Sequence, residues 1–163
     1  MTAARVRLFA DELTVGASFP FEPYEVTERE ILDFAGRWDP QWFHLEPVAA
    51  RSGPFQGLIA SGIQTLAIAQ RLSVLAAYGH WQVIAGRELH SLRFRRPVRP
   101  GMTLTGAVEI TAITPDRPAP GRADRSLVSV AIDLIDSGAT DPRGSTVLSG
   151  AMDMFVARRS TAS

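Results

Sequence analysis

Cysteine is absent from this 163-residue chain. Neither a disulfide framework nor a thiolate zinc site can be built from it, which fits a reducing compartment and a cytoplasmic setting. Lysine is absent too. All 17 basic residues are arginine, which points to GC-rich coding and not to a chemistry. Neither sign of charge is in excess, with 17 acidic residues against 17 basic ones and a sequence pI near 6.8. Nucleic-acid binders usually carry a basic excess, so that class loses support. Residues 1–12 show no apolar core ahead of a small-residue cleavage site, and no signal peptide is expected. The longest uncharged run, residues 52–70, is broken by Gly53, Pro54, Gln56, Gly57, Ser61, Gly62 and Gln64, and Arg71 closes it. That predicts a buried helix with a glycine-rich entry, not a membrane span. G-x-S-x-G, H-E-x-x-H and phosphate-loop patterns are missing, and the matching reaction classes go with them.

What is present suits one domain over residues 1–163, with 158–163 as a frayed tail. Hydrophobic residues make up 45% of the chain, enough to bury a core. Residues 17–26 read as a strand. Thr27 with Glu30 three places on matches a capping box, so a helix is expected from there until Asp39-Pro40 ends it. A short helix is expected over residues 44–51. A second long helix follows over residues 63–78, apolar on nearly every side and therefore expected to be buried all round. Beyond Glu88 the pattern changes. Residues 89–94, 104–114, 126–135 and 146–157 alternate or are rich in β-branched side chains, which predicts four strands. One buried helix and a sheet curled round it make an α+β fold.

Two short segments carry candidate chemistry. Asp39-Pro40-Gln41-Trp42-Phe43-His44 holds an acid and an imidazole five residues apart, in an irregular stretch between helices. A turn there can bring both groups to one point, where they could share proton transfer around one water. Spacing alone is equally compatible with a plain helix end and a packed histidine. The second segment is Gly57-Leu58-Ile59-Ala60-Ser61-Gly62, at the entry to the buried helix. Free N–H groups and the positive end of the helix dipole sit there, and glycine lets a ligand approach the backbone. An oxygen gaining negative charge would be stabilised at that point. Tight packing alone would explain the glycines as well.

Taken together, Phe34-Ala35-Gly36, Asp39-Pro40-Gln41, His44-Leu45-Glu46 and Gly57-Leu58-Ile59-Ala60-Ser61-Gly62 resemble the MaoC-like (R)-specific enoyl-CoA hydratase family. Leu92-Arg93-Phe94 and Arg96-Pro97-Val98-Arg99-Pro100-Gly101 continue the resemblance to Leu104, so it covers about half the chain. It implies a hot-dog fold, a curved antiparallel sheet wrapped round a central helix. Asp39 and His44 match the family's catalytic pair, and Gly62 the position whose N–H faces the thioester carbonyl. The implied reaction is hydration of a 2-enoyl thioester, with coenzyme A as part of the substrate and neither a metal nor another cofactor. Gln41 stands in place of a positioning asparagine. Ser61 stands where many members have histidine, at the pocket wall. Trp42 replaces a small residue or proline, and there it narrows the acyl tunnel or reshapes the loop.

Two other readings compete. A hot-dog thioesterase would place an acid near the buried helix, and residues 63–78 carry none. A non-catalytic acyl-thioester binder, or a partner subunit, would not need the Asp39/His44 pair. Arg87, Arg93, Arg95, Arg96 and Arg99 suit either a solvated strand face or the phosphates of coenzyme A or a carrier's phosphopantetheine. His80 and His90 fall outside the matched segments. A lone hot-dog sheet leaves an open edge and an apolar face, so a homodimer with a continuous sheet is expected. Neither nucleic acid nor membrane is expected as a partner.

Overall fold

The computed structural model describes residues 7–141 and 145–159. Helix α1 spans Glu28–Trp38 and starts as its capping box dictates. The Glu30 N–H donates to Thr27 Oγ1 at 3.2 Å, and the Thr27 N–H donates to Glu30 Oε2 at 3.1 Å. Two orphan donors of the first turn are thereby satisfied. Asp39 leaves helical geometry ahead of Pro40, with its N–H still bonded to Ala35 O. The helix expected over residues 44–51 is instead two single turns, α2 at Trp42–Leu45 and α3 at Pro47–Ala50. Pro47 is the cause: it drives Glu46 to φ −116°, ψ 85°, out of the helical region.

Helix α4 covers Gly62–Ala76 and lies against the sheet through Ile68, Ala69 and Leu72. It is not buried all round. Ile63 is 57% and Leu75 59% exposed, and Val74 is exposed beside them. Apolarity on every side shows that a helix tends toward burial, but one chain supplies packing for only one of its faces.

The sheet is antiparallel throughout. Its strands are β1 (Ser18–Pro20), β2 (Tyr24–Glu25), β3 (Val83–Phe94), β4 (Thr103–Pro115), β5 (Arg125–Asp136) and β6 (Thr146–Ala157), in the order β1-β4-β5-β6-β3, with β2 also on β4. The single strand expected over residues 17–26 is broken between Pro20 and Tyr24. There Phe21 turns into the core and its N–H donates to Gly106 O at 2.8 Å. Gly106 has φ +140°, and a Cβ on it would lie 2.0 Å from Asp133 O, so only glycine fits. Strand β5 shows the clean alternation of a half-covered sheet, with Val128, Val130, Ile132 and Leu134 buried. Strand β3 starts at Val83, earlier than expected. It pairs only with β6 and is exposed at nearly every position.

Arg158 and Arg159, the described part of the tail expected to fray, make ion pairs. Arg158 Nε lies 2.9 Å from Asp11 Oδ1, and an Arg159 guanidinium nitrogen lies 2.7 Å from Glu12 Oε1. Residues 160–163 of the expected tail lie outside the described residues. No helix among the described residues is long and apolar enough to cross a membrane.

Candidate active site

Asp39 caps α1, His44 lies in α2, and Ser61 and Gly62 open α4. The fold brings all four to one place. Asp39 Oδ2 is 3.5 Å from His44 Nε2. The Ser61 hydroxyl donates to Asp39 Oδ2 at 2.6 Å, and the Gln41 amide donates to Asp39 Oδ1 at 2.9 Å. Those two donors, Ser61 first, hold the Asp39 carboxyl below its ordinary range, with His44 adding to the effect. Asp39 is therefore a carboxylate at neutral pH, and both its oxygens are anchored.

His44 is buried, and its Nδ1 lies 2.7 Å from Ile59 O. A carbonyl can only accept, so Nδ1 carries the proton. In the neutral ring Nε2 then presents a lone pair toward Asp39. Ile59 was not singled out from the sequence. Its part is played by backbone, and no side-chain pattern announces it.

A cavity of about 420 Å³ opens beside His44. Phe43, Phe55 and Phe94 give it aromatic walls, Thr65 and Gly62 lie along the α4 side, and Arg95 and Arg96 belong to its lining. The N–H of Gly62 begins α4, where no acceptor exists within the helix. The next N–H, at Ile63, is taken by Ser61 Oγ at 3.1 Å. Ser61 thus serves the helix start and Asp39 together. A Cβ at Gly62 would meet the Phe94 ring at 3.2 Å, so the glycine leaves the amide open and Phe94 in place.

Trp42 does not line this cavity. Its ring covers Gly53, where an added Cβ would be 2.6 Å away, and it stacks edge-on to Phe43. The tunnel wall expected of Trp42 is made by Phe43 and Phe55, whose ring centroids lie 5.6 Å apart. Of the arginines, Arg87 and Arg93 lie on exposed β3, and Arg99 donates to Phe55 O at 2.5 Å, bracing the same loop. No cluster of metal-ligating side chains occurs among the described residues.

An antiparallel sheet around one long helix, with an acid and an imidazole meeting at the helix entry, defines a hot-dog protein. A Mycobacterium tuberculosis protein described as a double hot-dog fold superposes with a TM-score of 0.76 at 20% identity, over 96% of this chain and 46% of that one. The model of the MaoC-like domain family matches residues 11–123, and the chain belongs to that family. It is 39% identical over 107 residues to the uncharacterised protein YdeM of Bacillus subtilis, covering 66% of this chain and 76% of that one. It is 30% identical over 90 residues to the 3-hydroxyacyl-thioester dehydratase Z of M. tuberculosis, covering 54% and 60%. The crystal structure of a MaoC-like dehydratase from Rhodospirillum rubrum superposes with a TM-score of 0.79 at 37% identity, over 94% and 99% of the two chains.

Proposed function

We propose that the protein is a hydro-lyase adding water reversibly across the 2,3 double bond of an enoyl thioester to give the 3-hydroxyacyl thioester. One observation carries this reading: two acceptor atoms, Asp39 Oδ2 and the lone pair on His44 Nε2, face each other at 3.5 Å. That separation exceeds a normal hydrogen bond. A water donating one O–H to each atom satisfies both, and it is thereby polarised for attack.

The steps balance without help from outside. The pair removes a proton from the water as its oxygen bonds to C3. The π electrons move toward the thioester carbonyl, whose oxygen gains charge beside the Gly62 N–H. A proton returns from the pair to C2, and the pair ends as it began. Any coenzyme A arrives as part of the substrate. Arg95 and Arg96 in the cavity lining suit its phosphates, or those of a carrier's phosphopantetheine.

The working form is a homodimer. Strand β3 is an unpaired edge carrying Leu89 at 49% and Phe94 at 52% exposure, and α4 presents Ile63 and Leu75 outward. Such an edge invites pairing with a second copy. Light scattering is expected to give twice the chain mass, and Leu89→Asp is expected to lower it. A monomeric wild type would remove this part of the reading.

The central test follows loss of the enoyl thioester absorbance with crotonyl-CoA, in wild type and in His44→Ala. Turnover that disappears in the variant supports the reading. Full turnover in Asp39→Asn would overturn the mechanism. Release of free thiol in place of hydration would make the protein a thioesterase.

A further inference from the structure

Part of the aromatic wall of the His44 cavity hangs on a loop. Phe55 lies in the 52–57 loop between α3 and α4, and its ring centroid is 5.6 Å from that of Phe43. The loop's backbone bonds are local. The Gly53 N–H donates to Ala50 O at 3.1 Å, and the Gln56 N–H donates to Gly53 O at 3.0 Å. The chain is also bent into an unfavourable turn. Gln56 has φ +55° and Gly57 has φ +149°. Among the described residues, Gln56 and Ser91 are the only non-glycine residues with positive φ. A side chain rarely adopts that conformation, and it persists where the surroundings impose it.

Arg99 is placed to impose it. Its guanidinium meets the loop with both arms. Nη2 donates to Phe55 O at 2.5 Å, and Nη1 lies 3.3 Å from where a Cβ on Gly57 would stand. Between Gly53 and Leu58 the bond to Phe55 O is the one hydrogen bond to another element among the described residues. A charged donor makes the stronger kind of hydrogen bond, and a planar fork can hold two points at once. The backbone behind Arg99 is firmly held. Val98 is buried, and its carbonyl accepts the Ala60 N–H at 2.8 Å. The Gly101 N–H donates to Val26 O at 2.7 Å, and the Met102 N–H closes the turn on Arg99 O at 3.2 Å. A strained loop thus leans on a fixed post, and the ring between them faces the cavity.

We propose that Arg99 is a specificity-determining residue: it latches the 52–57 loop, fixes Phe55 in the cavity wall, and so restricts the protein to slender, unbranched acyl groups. With the latch made, Phe55 stands against Phe43 and the cavity keeps its volume of about 420 Å³. With the latch broken, the bend at Gln56–Gly57 relaxes, Phe55 swings away and a broader acyl group fits. Arg99 acts through Phe55 and takes no part in the proton transfers. The proposal rests on the thioester reading above and deepens it from the reaction to the class of substrate.

The test compares a slender acyl group with a broad one on the full chain. Turnover is followed with pent-2-enoyl-CoA and with 4,4-dimethylpent-2-enoyl-CoA, and wild type is expected to favour the first in kcat/KM. Arg99→Gln is expected to raise the broad-to-slender ratio by about tenfold, chiefly through KM, with kcat for the slender thioester nearly unchanged. Phe55→Ala is expected to raise the ratio likewise, and the double variant to raise it no further, because both changes act through one ring. Arg99→Lys keeps a donor but loses the second arm, so it is expected to fall between, and it carries the test if Arg99→Gln does not fold. A merely structural role would lower both thioesters alike, so an unmoved ratio in the Arg99 variants would overturn the latch, as would gains that add in the double variant. The same comparison is made without chemistry by calorimetric titration with the saturated pair, pentanoyl-CoA and 4,4-dimethylpentanoyl-CoA. If no enoyl thioester turns over but the affinity ratio shifts in the Arg99 variants, the hydratase reading fails and the latch stands. An affinity ratio that stays at its wild-type value overturns the latch whatever the turnover.

Discussion

The cavity beside His44 and the cleft between α1 and α4 are built differently. The one at His44 has aromatic walls and is lined by the imidazole and by Gly62, with the Asp39 carboxylate 3.5 Å behind His44 Nε2. The one at Gln64 has no acid–base pair. It sets Glu30, Asp33, Arg37 and Arg71 around apolar Phe34 and Ile68. The first gathers its polar groups near one point, and the second spreads its charged groups along α1 and α4. Substitutions on the two sides should therefore leave different signatures.

The largest effect falls on the reacting side. Asp39→Asn keeps the shape and the Ser61 and Gln41 neighbours but removes the charge, and kcat is expected to fall roughly 10²–10⁴-fold for every enoyl thioester tried. Substrate ratios should not move. Next comes Gly62→Ala. The N–H survives, but the new methyl meets Phe94 at 3.2 Å, so the ring or the helix start must shift. Misplacement on that scale costs up to about 10²-fold in kcat. Steady-state kinetics with crotonyl-CoA measures both variants, and an unchanged kcat in Gly62→Ala would show that the carbonyl is not held at this amide.

How far the sequence could lead differs along the same line. The meeting of Asp39 and His44 near Gly62 was legible because these residues stand at a fixed spacing in the sequence. The α1 start was legible because a capping box is local chemistry. Three features were not. The Ile59 carbonyl that fixes the His44 tautomer is backbone, and any residue there would supply it. Trp42 reads as a pocket residue from its position beside the pair, yet its ring goes to Gly53, a partner set by how the loop folds back. Strand β3 begins at Val83 although its first half shows no clean alternation, because an edge strand exposed on both faces has no buried side to impose one. The Gln64 cleft lies between the extremes. Most of its residues sit on helices expected from the sequence, but only the crossing of α1 and α4 brings them together.

A subtler distinction is available through pH. The Ser61 hydroxyl is the foremost reason that the Asp39 carboxyl is held low. Ser61→Ala removes it, so the Asp39 pKa rises toward its ordinary value. A group lowered in the folded state stays charged until pH falls through that lowered pKa. Losing the donor therefore moves the acidic limb of the kcat/KM profile to higher pH, with a smaller change at neutrality. The same variant frees the Ile63 N–H at the start of α4, and a lost helix cap is expected to cost about 1 kcal/mol of stability. A profile whose acidic limb stays put would mean that Asp39 is not the group that must be ionised.

The smallest expected effect tests whether Trp42 belongs to either cavity. It is 42% exposed and touches Gly53, Phe43 and solvent, but it lines neither space. Its influence on a ligand must pass through the 52–57 loop, which carries Phe55 to the wall of the first cavity. Trp42→Ala is expected to leave kcat nearly unchanged, to raise KM modestly and to destabilise by about 1 kcal/mol. Gly53→Ala attacks the same contact from the other side, since its methyl would sit 2.6 Å from the ring. The two losses should not add in the double variant, because each removes one packing arrangement. Additive losses, or a fall in kcat from Trp42→Ala alone, would return Trp42 to the reacting cavity.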